Sequence, residues 1–178
     1  MILRCLPLLL ALLSLHPLGA QGNALTPVVP FGGIYAVPEA TVTPDPTLSY
    51  RLVVDVVSGA ESPDTVAAGL HNVARMLNLF SVGGVPHDSL HVVLAIHGGA
   101  TVSVLEQAAY RKRFGTDNPN LPVLRALREA GVRITVCGQS LISREVAPAT
   151  VTPEVEIATS MLTTVAMYEM RGYGLLRF

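Results

Sequence analysis

The chain has 178 residues, half of them hydrophobic, with 12 basic and 13 acidic side chains and a formal net charge of −1. That length suits one domain with a sizeable core, and a balance so near neutrality gives no electrostatic case for nucleic acid or an anionic membrane as partner. Only two cysteines, Cys5 and Cys137, are present, which excludes a disulfide-dense scaffold.

Arg4 supplies a basic start, Leu6 to Leu15 an apolar run broken by Pro7 and Ser14, and Pro17-Leu-Gly-Ala20 small residues ahead of Gln21. This layout predicts a secretory signal peptide over residues 1–20. The apolar run is too short to span a bilayer comfortably, and no second long run follows. The expectation is a periplasmic or secreted protein with no stable membrane insertion after cleavage. Cys5 precedes the apolar run and does not suit a lipoprotein cysteine. Without residues 1–20 the chain keeps 11 basic and 13 acidic side chains, a net charge of −2, and Cys137 as its lone thiol. An unpaired thiol in an exported protein is buried and inert, paired between chains, or reactive.

Residues 21–49 carry Pro27, Pro30, Pro38, Pro44 and Pro46 with Gly32-Gly33, which disfavours helix and regular strand and predicts an extended arm or linker. From residue 50 the pattern changes. Tyr50–Val57 is a continuous apolar strand of the kind buried on both faces. Ser62 followed by Pro63 predicts a helix start, and Val66, Leu70, Val73, Ala74 and Leu77 recur at helical spacing until Gly83-Gly84. Leu90–His97 is a second buried strand with Gly98-Gly99-Ala100 as its turn. A helix is expected from about Ser103 to Phe114. Asp117-Asn-Pro-Asn120 breaks it and caps a further helix bearing Val123, Leu124, Leu127 and Ala130, which Gly131 ends. Val132–Cys137 is a third strand and Ser140 to about Val146 a short helix. Val155–Ala158 is a brief strand, Met161, Leu162, Val165, Ala166 and Met170 line a final helix, and Tyr173–Phe178 offers a fifth strand. Strands alternating with helices predict a mainly parallel sheet with helices on both faces.

Cys137 closes the third strand, with Gly138 directly after it. In open α/β sheets ligands gather at the carboxyl ends of strands. Backbone N–H groups at a helix start favour a thiolate there. Gly138 permits close backbone approach, and the N–H groups of Gln139 and Ser140 are candidate anion donors. His97, at the carboxyl end of the second strand, is a candidate base or hydrogen-bond partner at the same edge. Its ordinary alternative is a histidine bonded to a nearby turn. Gly98 and Gly99 are a candidate anion cradle or simply a tight turn. They lack the dinucleotide fingerprint and a Walker lysine. His71, His87, His91 and His97 show no close metal-ligand spacing. Nothing suggests an organic cofactor. Tyr110-Arg-Lys-Arg reads as a solvated helix face.

Four segments occur in order with strand–helix spacing: His97-Gly-Gly, Tyr110-Arg-Lys-Arg-Phe-Gly115, Asp117-Asn-Pro-Asn120 and Val136-Cys-Gly-Gln-Ser140. With these the chain resembles the DsrE/DsrF-like family, in particular its exported members, over roughly residues 50–178. The resemblance implies a three-layer α/β/α fold with a mainly parallel sheet of about five strands, and a tendency to form homo-oligomers. Intracellular relatives carry sulfur as a persulfide on a cysteine and pass it between proteins. On the matching motif that cysteine is Cys137, and the implied partners are a sulfur donor or acceptor protein. The competing reading is a non-catalytic oligomeric module for assembly or small-ligand binding on the same fold. A third is a redox sensor that dimerises through Cys137.

Overall fold

The computed structural model describes residues 28–178. The expected signal peptide and the first residues of the arm lie outside them. Five strands form one sheet in the order β4-β3-β2-β1-β5: β1 Tyr50–Val56, β2 Leu90–Ile96, β3 Arg133–Cys137, β4 Glu156–Ala158 and β5 Gly174–Arg177. Every neighbouring pair is parallel, so each connection must cross over. Helices α1 (Ala68–Val82), α2 (Gln107–Phe114), α3 (Asn120–Glu129), α4 (Gly138–Ser143) and α5 (Met161–Glu169) lie in those crossovers. The result is the expected α/β/α layering.

Alternation along each strand divides the side chains between two unequal cores. Val54, Val56, Leu94, Ile96, Ile134 and Val136 meet Leu70, Val73, Leu77, Leu124 and Leu127 from α1 and α3. Burying each of these fully contributes roughly 1.5–3 kcal/mol, so this core dominates stability. On the opposite face only Val53, Val93 and Tyr168 form a small buried cluster, edged by Val165 and Tyr173. That face also carries Asp55, His91, Arg133, Thr135 and Cys137, by parity with Val53 and Val93.

Several expected boundaries move. Ser62 and Pro63 do not open α1. The Ser62 hydroxyl bonds Asp64, the Thr65 N–H donates to the Ser62 carbonyl (3.1 Å), and the helix begins at Ala68. The hydroxyl is spent on a local turn, which competes with capping. Pro63 offers its carbonyl to the hydroxyl of the buried Tyr110, at 2.8 Å. The helix expected over 103–114 is two pieces, a 3-10 segment Gly98–Val104 and then α2. Leu105 between them is extended and bridges Val151, and the Glu106 N–H donates to the Thr150 carbonyl (2.8 Å). Gly98-Gly99-Ala100 is thus the opening of the 3-10 segment. Ser140 does not cap the short helix after β3, which starts at Gly138 and ends at Ser143, with Cys137 in the capping position.

The final helix is rotated relative to its apolar pattern. Thr164 and Tyr168 face inward, while Leu162 and Met170 are 73% and 89% exposed. Tyr168 wins the inner position because its ring covers Val53 and Val93 while its hydroxyl accepts from Arg133 Nη1 at 3.0 Å. Residues 28–49 form no helix or strand. They are pinned to α1 by buried Asn78, whose Oδ1 accepts from the Val28 N–H (2.6 Å) and whose Nδ2 donates to the Phe31 and Gly32 carbonyls.

Candidate functional site

Cys137 is the last residue of β3 and the residue before α4. A second helix also starts beside it. Ser160 caps α5 by accepting from the Leu162 N–H at 3.2 Å, and the Cys137 thiol donates toward the same hydroxyl oxygen, with sulfur and oxygen 3.9 Å apart. Gly138 makes this approach possible. A Cβ there would stand 2.9 Å from the Ala158 carbonyl oxygen, so any larger residue would push α4 away from the β4–α5 turn.

The thiol is 4% exposed, yet its surroundings are polar. Burial pushes its pKa up. The Met161 N–H, the Ser140 hydroxyl and N–H and the Ser160 hydroxyl together outweigh that, and the pKa falls below its ordinary value. Gln139 and Ser140 lie in the first turn of α4, Gln139 exposed and Ser140 half-buried.

His97 follows Ile96, which pairs with Val136, so His97 and Cys137 take the next rung of adjacent strands. The imidazole leans toward β1, where its Nε2 lies 2.5 Å from Asp55 Oδ1. Asp55 is 6% exposed, and its other oxygen lies 3.4 Å from Arg177 Nε on β5. A buried carboxylate is costly unless paired, and here an imidazole and a guanidinium share it. Sequence reading placed His97 and Cys137 at one edge of the sheet. It overlooked Asp55, Arg177, Ser160 and Met161. Asp55 carried a usable signal, being the one charged residue in Leu52–Val57. Ser160 did too, as a serine directly before an apolar helical stretch. Arg177 and Met161 had none, because only the fold brings them near.

Gly98 and Gly99 press against the turn that follows β1. A Cβ on Gly98 would meet Val57 Cγ2 at 2.7 Å, and a Cβ on Gly59 would meet the Gly99 carbonyl oxygen at 2.5 Å, so neither position has room for a side chain. The Ala100 N–H then donates to the Val57 carbonyl at 3.2 Å. Among the described residues no group of histidine, cysteine, aspartate and glutamate is arranged to hold a metal ion, and no helix is long and apolar enough to cross a membrane.

The fold is similar to that of a protein of unknown function, MTH1491, from Methanobacterium thermoautotrophicum. The two share 18% identity and a TM-score of 0.55 over 72% of this chain and 99% of that one. The ychN protein of E. coli is also similar, at 18% identity and a TM-score of 0.49, over 72% of this chain and 99% of its own. No curated protein matches the sequence. The sequence profile of the DsrE/DsrF-like family matches residues 52–178, from the third residue of β1 through Phe178. The chain therefore belongs to the DsrE/DsrF-like family.

Proposed function

We propose that this protein is exported and handles sulfur through Cys137 as a persulfide or thiol carrier. Membership of the family makes a sulfur-related role the first expectation. The observation that carries the reading is the sulfur of Cys137 set between the starts of two helices, with its pKa lowered. A thiolate is the form that attacks sulfur. In the proposed step the Cys137 thiolate attacks the outer sulfur of a donor persulfide. The new sulfur–sulfur bond forms on Cys137, the donor's own sulfur–sulfur bond breaks, and the donor leaves as a thiolate. No oxidant is consumed. His97, held by Asp55 through Nε2, has Nδ1 left to hydrogen-bond the departing sulfur. The amides of Gly98, Gly99, Gly138, Gln139 and Ser140 are the proposed anion donors around the ligand. Entry to the sulfur requires the Thr159–Ser160 turn to open.

Mass spectrometry after incubation with a low-molecular-weight persulfide tests this. The expected result is one added sulfur on the wild type, removed by thiol reductant and absent in Cys137→Ala. No adduct with the intact protein across several donors would overturn it. That result would favour the second reading, a non-catalytic assembly module, which the near-complete burial of Cys137 supports.

Two further parts of the proposal rest on separate observations. Export rests on the leader-like segment 1–20, and sequencing the amino terminus of the chain recovered from the periplasm or medium should begin near Gln21. Self-association rests on α5, whose outward face presents Leu162, Ala166 and Met170, with Met167 beside them 44% exposed. Exposed apolar stripes of this kind mark contact surfaces, and a second copy of the chain is the proposed partner.

A further inference from the structure

We infer that a second ligand site, separate from Cys137, lies at the amino end of the sheet and takes a small oxyanion: a carboxylate, sulfate or phosphate group. A cavity of about 380 Å³ opens there, a size in the range of small-molecule sites. It is lined by Leu90, Val92 and Val93 of β2 together with the polar residues His87, His91, Arg133, Tyr168 and Tyr173. The site is displaced from Cys137 by nearly the full length of β3, about 13 Å.

The donors there are only partly used. A guanidinium has five N–H groups. Arg133 commits Nε and Nη2 to Glu156 (3.2 and 2.7 Å) and Nη1 to Tyr168 (3.0 Å), which leaves two. The Tyr168 hydroxyl accepts that bond, so its own proton is free to donate. Neither the His91 ring nor the Tyr173 hydroxyl has a hydrogen-bond partner among the described residues. Tyr173 is held in place by its ring, edge-on to Tyr168 at 4.9 Å. Arg51 sits opposite His91 in register on β1 and is exposed, a further cation on the same face of the sheet. One carboxylate lines the cavity, that of Asp88. Its side chain is 81% exposed and lies 3.4 Å from His87 Nδ1. Donors therefore outnumber acceptors around a partly apolar hollow, the arrangement that suits an anion carried on a small body.

The test is isothermal titration of the protein with sulfate, phosphate and benzoate in turn. At least one should bind, and which one binds separates an inorganic ligand from an organic carboxylate. His91→Ala and Tyr173→Phe should each weaken that binding fivefold or more, while Cys137→Ala leaves it unchanged. His91 is exposed, and Tyr173, half-buried against the small cluster, keeps its ring contact in Tyr173→Phe, so the fold is preserved. Absence of binding by all three anions at millimolar concentration would overturn the inference. So would binding that survives both cavity variants. Because Cys137→Ala is expected to be silent, failure here is independent of the sulfur-carrier proposal.

Discussion

The sulfur of Cys137 is poised by four donors, of which Ser160 is the simplest to remove. An unperturbed thiol titrates near about pH 8.5. The native thiol should therefore become a thiolate at lower pH than that, as read from the rate of alkylation by a small reagent across pH. Ser160→Ala should move the midpoint upward. The stability sign follows from the same shift. The folded thiol gives up its proton more readily than the unfolded one. Relative to Cys137→Ser, the wild type should thus gain stability as pH rises through the native thiol range. It should keep that gain above the unfolded pKa and lose it as pH falls through the native one. Asp55 is the second residue of consequence. Asp55→Ala removes the acceptor shared by His97 and Arg177, and a loss of about 1–3 kcal/mol is expected in denaturant unfolding. Asp55→Asn should recover part of it, because an amide oxygen still accepts one bond.

Elements show where sequence patterns hold and where tertiary contacts override them. The three central strands were legible because buried parallel strands read as mostly apolar runs, as in Leu52–Val57, interrupted only by Asp55, and Leu90–Ile96, interrupted only by His91. Glycine also marked the helix ends: α1 stops at Gly83 and α2 at Gly115, the latter in the left-handed region at φ +74°. Helix starts were harder. Ser62 and Ser140 both satisfy the capping pattern, yet the hydroxyl of Ser62 goes to its own turn and Ser140 lies inside a helix that Cys137 opens. No local rule announces a cysteine in the capping place. The apolar face of α5 misled for another reason. Its pattern is helical, but Thr164 and Tyr168 supply the inward contacts and the more apolar stripe is left outside. At this scale Gly138→Val should separate α4 from the β4–α5 turn. The expected signs are a thiol that alkylates faster at high pH and a pKa nearer its ordinary value, since the Ser160 and Met161 donors withdraw. Leu127→Ala, in the larger core, should cost about 2–5 kcal/mol without changing the thiol.

For the whole molecule, the division into a large core and a small one sets what can move. The face under α1 and α3 is packed across all the central strands, whereas the opposite face is covered by α5 over a cluster of three buried residues. Opening at α5 should accordingly come before global unfolding. Hydrogen exchange should show the amides of α5 and the β4–α5 turn exchanging well ahead of those in β1 and β2. If a second copy docks on α5, that difference should shrink as protein concentration rises. Leu162→Glu together with Met170→Glu should abolish the concentration dependence and yield monomers by sedimentation, with the fold intact. The arm is the other mobile candidate. Asn78→Leu removes its hydrogen bonds to residues 28–32, so a protease should cut residues 28–45 faster while leaving β1 onward untouched.

The placement of β5 beside β1 has a bearing on how the chain reaches its native state. Strands that follow one another in the first part of the sequence can assemble as they emerge, but the outer rim of β1 must wait for the segment around Leu175. Until then a row of unsatisfied amides and carbonyls stands open beside apolar side chains, a template for pairing with other chains. A chaperone that shields extended hydrophobic segments of the nascent chain would protect this rim, and nascent chains stalled before residue 174 should aggregate where full-length chains do not.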